Sequence, residues 1–320
     1  MSHYLLRRLL ISVPVLLGTS VILFAILALA PGDPFGELAL NPNIPPEVRF
    51  NLRQQFGLDD PLAVRYWRWL TAMVHGDWGY SFVSRMPVQR LIMQRLLTTL
   101  FVLGSAYLMA LLIALPVGIL SAVKPYSFFD QFATTLAFIG YSLPTFFTGL
   151  LFILVFSITL HWLPFIYSST IEATGLAWVL EHLRQGAMPI TVLGLFEAAA
   201  LTRFVRSSML EVINQDFVTT ARAKGLSERR TVLKHALRNA LMPVVTVVAL
   251  QIPTIFTGAV ITEQIFRVPG IGSLLIASIE STDTPVVMAI TFVYAVLVIV
   301  FNLIADIIYV LLDPRISYSG

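Results

Sequence analysis

Six long apolar runs dominate this chain of 320 residues. A bilayer core is about 30 Å thick and an α-helix rises about 1.5 Å per residue, so about 20 apolar residues cross it. Backbone polar groups at that depth must find their partners within the chain, which favours helices. The pattern predicts an all-α membrane protein with six transmembrane helices, at residues 9–30, 96–123, 131–160, 188–205, 241–265 and 285–312.

The composition agrees with this class and excludes several kinds of chemistry. Charged residues make up 12% of the chain, whereas a soluble domain carries about 25%. There is no cysteine, so disulfides and thiol catalysis are excluded. We find no sequence motif for a metal site, a phosphate-binding loop or an activated nucleophile. We therefore expect neither an enzyme nor a cofactor on this chain, and transport would draw energy from an ion gradient or a partner.

A basic segment, residues 206–240, separates the fourth and fifth apolar runs. From Arg203 to Arg238 the chain has eight Lys or Arg and three acids. A loop this basic between two spans is retained on the cytoplasmic side. With six spans, both termini are then cytoplasmic, and Arg7 and Arg8 before the first run agree with that orientation.

The same segment carries the signals of two short helices. Asp216 is a candidate N-cap for the first, Gly225 stands at its C′ position, and Ser227 begins a second helix over residues 228–239. Tethering into the membrane at both ends argues against a DNA-binding helix–turn–helix. Two interpretations stay open, a solvated orienting loop and a docking surface for a cytoplasmic partner, and we favour the second.

The remaining segments complete the predicted domain organisation. Residues 31–95 form the longest polar stretch, with amphipathic helices expected at 46–57 and 62–74, and predict a small external helical subdomain between spans 1 and 2. We expect four parts: the N-terminus with the first span (1–30), the external subdomain (31–95), a five-helix core containing the basic loop (96–312), and a cytoplasmic tail (313–320).

The third apolar run is interrupted by the sequence GYSLP. Unwound backbone at membrane depth is tolerated only where protein or a water-filled cavity surrounds it. Tyr141, Ser142 and Pro144 are therefore candidates for a translocation pathway. A packing kink with no transport role explains the same residues equally well.

Acidic side chains within the apolar runs are costly and need a reason. Glu197 lies near the bilayer midplane, where it would attract a cationic substrate group or serve as a structural partner. Near the outer end of the fifth run, Glu263 either stays hydrated or anchors the following turn. Within the sixth run, Asp306 is expected to form a structural bond with Asn302, one helical turn earlier, or with a basic residue. The structural or gating candidates are Glu263, Pro269, Gly270, Asn302 and Asp306.

A series of motifs along the whole chain resembles the oligopeptide/dipeptide/nickel permease family of binding-protein-dependent ABC importers. In order they are PGDP, FGLDDPL, HGDWGYS, RSSMLEV, TARAKGLSERRTVLKHALRNALMPVVT, ITEQIFRVPGIG and NLIADIIYVLLDPRI. The resemblance implies a type I ABC importer permease fold in the bacterial inner membrane. It also implies a homologous permease as heterodimer partner, two cytoplasmic ATPases that bind ATP and Mg, an external solute-binding protein and a peptide substrate, with no nucleic acid.

By this resemblance, residues 216–226 are the coupling helix that docks on an ATPase. Its Glu-Ala-Ala signature falls on Thr219-Thr220-Ala221, so only the last alanine and the later glycine match. Glu197 falls where relatives are expected to have an apolar residue or proline, which makes it the candidate for a substrate preference. The predicted docking residues are Asp216, Phe217, Val218, Ala221, Arg222, Lys224, Gly225 and Leu226.

Alternative functions are also compatible with these features. A gradient-driven secondary transporter or channel would use Glu197 or Asp306 as a proton relay, and a receptor or scaffold would use the basic loop for recruitment. Within the permease family, the substrate remains open among dipeptides, oligopeptides, glutathione, nickel chelates and antimicrobial peptides.

Overall fold

The computed structural model describes residues 2–29, 60–168 and 174–312. In this part of the chain the only β-type pairing is an isolated antiparallel bridge between Tyr80 and Pro87. Side chains are described throughout except in short stretches of the first, ninth and eleventh helices. The helices are α1 (Ser2–Leu29), α2 (Leu62–Val74), α3 (Val88–Val123), α4 (Phe128–Ser142), α5 (Thr145–Phe152), α6 (Leu176–Ile213), α7 (Asp216–Ala223), α8 (Glu228–Arg230), α9 (Leu237–Ile265), α10 (Ile271–Glu280) and α11 (Thr284–Leu312).

Four of the described helices are long and apolar enough to cross a membrane, namely α1, α3, α6 and α11. The pair α4 and α5, extended by a π-helical segment at Ile153–Thr159, makes a fifth if it is counted as one span. This pair bends by 100° at Leu143 and Pro144, so the predicted interruption is confirmed. The run predicted at 241–265 lies within α9. The structure thus supports four or five spans, and the count of six stays a prediction.

Helices α3 and α6 extend well beyond the apolar runs that predicted them. They contain 36 and 38 residues, or about 54 and 57 Å of helix, against a bilayer core of about 30 Å. Hydropathy marks only the part of a helix at membrane depth. It therefore misses polar turns, such as residues 206–213 of α6, that continue the same helix.

Helix α6 is the centre of the larger of two compact units, which comprises Leu97–Ser273 and the chain from Phe301 onward. It packs against α4, α5 and α9. Small residues allow α3 and α6 to approach closely, as they do in many membrane helix pairs. The buried residues of this contact are Ala110, Ala114, Ala198 and Leu201.

The second unit comprises Ser2–Leu96 and Leu274–Val300. The helix predicted at 62–74 is confirmed as α2, and it packs on α1. Phe24 of α1 lies 5.5 Å from Tyr66 and 5.8 Å from Trp69, measured between ring centroids. The helix predicted at 46–57 and the tail at 313–320 lie outside the described residues.

Asp283 organises the segment that follows the HGDWGYS motif, also within the second unit. Its buried carboxylate accepts hydrogen bonds from the Ser81 hydroxyl at 2.5 Å and from the Phe82 backbone N–H at 3.0 Å. A carboxylate that receives such donors fixes the backbone that supplies them. The loop before α11 is thereby fastened to the segment before α3.

Candidate coupling surface and membrane-depth residues

Helix α7 begins one residue earlier than the predicted Asp216 cap required. Gln215 holds the extended cap position, without a side-chain hydrogen bond, and Asp216 is the first residue of the helix. The prediction that Asp216 caps this helix is therefore wrong. Its carboxylate instead lies in the first turn, where the helix dipole favours a negative charge.

The C-terminus of α7 confirms the predicted role of Gly225. Its φ is +77°, in the region that favours glycine. The Gly225 N–H donates to the Arg222 carbonyl at 2.9 Å, and the Leu226 N–H donates to the Ala221 carbonyl at 3.4 Å. These two bonds form a Schellman motif, which satisfies the last carbonyls of the helix and reverses the chain.

The second short helix does not end at residue 239 as predicted. Ser227 stands at the N-cap position of α8, and the chain continues through a π-helical segment (Thr231–Ala236) directly into α9. The predicted end rested on the change from polar to apolar residues. Since no glycine or proline occurs between residues 228 and 242, nothing in the sequence stops the helix there.

Two of the four apolar side chains predicted to contact a partner are buried in this chain. Val218 has no exposed surface and belongs to a cluster with Val212 of α6 and Val232 of the π-helical segment. Ala221 is also buried. Phe217 is 39% exposed and Leu226 is half-buried. The apolar surface of α7 available to a partner is therefore smaller than predicted.

An ion pair joins α7 to α8 across the Gly225 turn. Arg222 donates to both carboxylate oxygens of Glu228, from Nε at 3.0 Å and from Nη2 at 2.7 Å. These hydrogen bonds lower the pKa of Glu228 and raise the pKa of Arg222. Arg222 is thus engaged within the chain, whereas Lys224 is exposed. An open groove of about 470 Å³ lies on the segment that follows the Gly225 turn. It is lined by Ser227, Arg229, Arg230, Leu233 and Lys234.

The break between α4 and α5 presents its predicted residues at the surface of the chain. Tyr141, Ser142 and Pro144 are all exposed. The Tyr141 ring stacks on Phe196 of α6, with centroids 5.4 Å apart and planes inclined by 17°. Arg203, also on α6, places its guanidinium carbon 4.5 Å from the centroid of the Tyr141 ring. Arg203 was not among the predicted pathway residues, although a cation at the end of an apolar run was an available signal.

Glu197 lies on α6, next to Phe196, and is half-buried. Within the described residues, no ion pair joins Glu197 to a cation. The structure thus brings Glu197 into the region of the α4–α5 break without assigning it a structural salt bridge.

A buried ion pair between Asp130 and Arg206 was not predicted. Arg206 Nε lies 2.6 Å from Asp130 Oδ1, and Nη2 lies 2.7 Å from Oδ2. Asp130 also accepts the Tyr126 backbone N–H at 2.8 Å and the Thr134 hydroxyl at 3.3 Å. The pair ties the start of α4 to the part of α6 that leads into α7.

Glu263 is buried at the end of α9, which favours the anchor interpretation over the hydrated one. Its carboxylate accepts the Thr99 hydroxyl at 2.6 Å and the Ser273 N–H at 2.9 Å. A Cβ placed on Gly270 would lie 2.0 Å from Glu263 Oε1, so the turn closes around the carboxylate. Pro269 is half-buried in this turn. The remaining candidates lie on α11, where Asn302 is exposed and Asp306 is half-buried.

The apolar spans and the broken helix pair are those of a multi-pass membrane protein. A family model described as "Binding-protein-dependent transport system inner membrane component" matches residues 114–318, and the corresponding N-terminal model matches residues 1–103. The chain belongs to this family of ABC transporter permeases. No cluster of His, Asp or Glu in its described part is suited to hold a metal ion.

Curated relatives match the chain over its full length. The oligopeptide transport system permease protein AppB of Bacillus subtilis is 44% identical over 99% of this chain and 100% of the relative. The glutathione transport system permease protein GsiC of Salmonella typhimurium is 39% identical, and the dipeptide transport system permease protein DppB of Escherichia coli is 36% identical. Both matches cover 100% of each chain.

Solved structures of the MetNI methionine ABC transporter share the fold. One of them aligns with a TM-score of 0.55 and 19% identity, over 71% of this chain and 98% of the other. The chain, whose described part is mainly helical, therefore has the type I ABC importer permease fold. Its relatives are transport permease subunits rather than enzymes, and in this family ATP hydrolysis belongs to partner ATPase subunits. The family also implies a binding protein as a partner.

Proposed function

We propose that this chain is the transmembrane permease subunit of an ATP-driven importer of dipeptides and oligopeptides, and that it forms half of the translocation pathway. The full-length match to the oligopeptide permease AppB, at 44% identity, carries this proposal. A homologous permease supplies the other half. Two cytoplasmic ATPases bind ATP and Mg, and an external binding protein delivers the peptide.

The proposed topology has six spans with both termini in the cytoplasm. It is supported by the basic charge of 206–240, since such loops stay on the cytoplasmic side. The polar stretch 31–95 is then external and available to the binding protein. Helix α9 supplies the fifth span and the α4–α5 pair the third.

Coupling to the ATPase rests on α7 and the groove beside it. A helix docks in a partner groove through an apolar anchor surrounded by polar contacts. Phe217 is exposed enough to be that anchor, with Leu226 as a smaller contact and Lys224 on the rim. Val218 faces inward and transmits movement of α7 to the end of α6.

The pathway itself is proposed to run past the α4–α5 break. Exposed backbone breaks at membrane depth require protein or water around them. Tyr141, Ser142 and Pro144 supply that surface, and Glu197 favours a peptide ammonium or a basic side chain. The Glu263 anchor, with Pro269 and Gly270, fixes the turn before α10, while Asn302 and Asp306 have structural roles.

Reconstitution into liposomes tests this function. The chain is assembled with its companion permease, the ATPases and the binding protein, and uptake of a labelled tripeptide is compared with uptake of glutathione. Peptide uptake that requires ATP is expected. Glutathione is the second candidate, because GsiC relatives match at 39% identity over the full length. Uptake of glutathione alone would replace the peptide assignment.

A further inference from the structure

Phe196, Tyr141 and Arg203 form a stack of three planar groups. Phe196 and Tyr141 lie nearly parallel, inclined by 17°, and the Arg203 guanidinium carbon is 4.5 Å from the Tyr141 centroid. An arginine whose flat face rests on an aromatic ring is held in orientation by that contact. Its two terminal nitrogens, Nη1 and Nη2, lie in the guanidinium plane and stay available to a ligand at the edge.

The charge of Arg203 is not neutralised within the described part of the chain. No carboxylate there forms an ion pair with it, and its Nε is buried without a hydrogen-bond partner. Arg206, one turn along the same helix, shows the contrast, because Asp130 accepts hydrogen bonds from two of its nitrogens. A guanidinium charge without a carboxylate partner is costly at membrane depth, and it indicates an anion that is supplied from outside the described part of the chain.

The direction of the Arg203 side chain also needs explanation. It lies over a ring that stacks on Phe196, whose Cα precedes that of Arg203 by about 10 Å along the helix axis. The guanidinium therefore extends away from the basic loop. A cation near the end of a span ordinarily extends toward the nearer water interface instead.

The surface next to this stack is unsuited to lipid. Tyr141, Ser142 and Pro144 are exposed where the helix is broken, and Pro144 has no backbone N–H to restore the pattern. Broken backbone at this depth faces protein or a water-filled cavity. The partner of Arg203 therefore comes from the pathway or from another subunit.

We propose that Arg203, braced by Tyr141 and Phe196, binds the C-terminal carboxylate of the peptide as it passes the α4–α5 break. The guanidinium matches a carboxylate with two parallel hydrogen bonds, and the aromatic face keeps that fork in place. The permease itself thereby selects peptides with a free C-terminal carboxylate.

This inference rests on the proposed peptide import, and the test separates the two. The complete importer is assayed with trialanine and with trialanine amide, which lacks the carboxylate. The Arg203→Gln/wild-type uptake ratio is taken for each, so that any preference of the binding protein cancels. We expect trialanine uptake to fall about tenfold or more, and amide uptake less than about twofold. Arg184→Gln, which removes an exposed cation of α6, should change neither.

Arg203→Lys keeps the charge but lacks the planar fork, so it should fold and still lose most of the discrimination. Equal losses for both peptides, or full activity of Arg203→Lys, would overturn the proposal and favour a pairing with the companion permease.

If the wild-type importer moves neither peptide, peptide import itself fails. Binding at the Arg203 site is then measured by photolabelling with a tripeptide that ends in benzoylphenylalanine. Labelling around Phe196 should fall about tenfold in Arg203→Gln, and unchanged labelling contradicts the site.

Discussion

Arg206 holds the carboxylate of Asp130 from two nitrogens, with Nε to Oδ1 at 2.6 Å and Nη2 to Oδ2 at 2.7 Å. The Asp130 side chain is only 3% exposed, and that of Arg206 is 23% exposed. Asp130 opens α4, and Arg206 precedes the part of α6 that packs on α7. The pair therefore connects the broken helix with the region next to the proposed coupling helix.

Asp130→Asn should strongly destabilise the permease, because it leaves the Arg206 charge without its buried partner. The expected loss is about 2–3 kcal/mol of unfolding free energy, measured by denaturant unfolding in detergent, since Arg206 keeps some contact with solvent. Glu181→Gln is the control, since it removes an exposed pair with Arg184 at 3.8 Å and should cost less than about 1 kcal/mol. Similar losses in the two variants would show that the buried pair does not have this structural role.

Phe217 and Val218 are adjacent residues of α7 with opposite expected roles. Val218→Ala should lower the unfolding free energy by about 2 kcal/mol, because its side chain is fully buried. Phe217→Ala should weaken co-purification with the ATPase subunits while the permease still folds, because that ring is 39% exposed. Normal ATPase binding by Phe217→Ala would refute its role as the docking anchor.

Gly270→Ala should disturb the turn around Glu263. A Cβ there would lie 2.0 Å from Oε1, and the carboxylate is fixed by Thr99 and Ser273. We expect a loss of about 1–3 kcal/mol in unfolding free energy. Gly104→Ala on α3 is the matched control, since its Cβ would meet nothing within 4 Å. If Gly270→Ala loses no more unfolding free energy than Gly104→Ala, the turn accommodates the added methyl group and is not tightly packed around Glu263.

The contribution of Glu228 to stability should depend on pH. Arg222 lowers the pKa of Glu228 below its ordinary value of 4.5. The contribution is therefore fully present above that ordinary value and is lost as pH falls through the lowered pKa of the folded state. Glu228 is largely exposed, so solvent screening limits it to below about 1 kcal/mol.

The measurement for Glu228 compares wild type with Glu228→Gln. Their difference in unfolding free energy should be largest near about pH 7 and should shrink as the solution is acidified toward about pH 3. If the difference in unfolding free energy is still as large near about pH 3, it does not come from the ion pair between Arg222 and Glu228.

Much of this fold could be predicted from local sequence signals. The Gly225 turn was predictable because a positive φ at a helix C′ position favours glycine. The break at Leu143–Pro144 was predictable because glycine, serine and proline occur together in GYSLP, whereas a proline alone lies inside the continuous helices α1, α3 and α6. Helix α2 was predicted at its observed bounds, since its amphipathic pattern lies between clear turn signals.

The remaining features depend on contacts between distant parts of the chain. Asp130 and Arg206 are 76 residues apart, and neither residue reveals its partner in the linear pattern. Val218 and Phe217 look equally apolar, and only the packing of α7 against α6 separates them. Likewise Glu263 is buried because Thr99 and the Ser273 backbone satisfy it, which hydropathy alone does not show.

The most direct test of the proposed function is tripeptide uptake by liposomes containing the complete importer, with ATP present or absent on the ATPase side and with ionophores that collapse all ion gradients. Uptake that requires both ATP and the binding protein, and that continues when the gradients are collapsed, is the predicted result. Uptake by this chain alone, driven by a gradient and independent of ATP, would contradict the account.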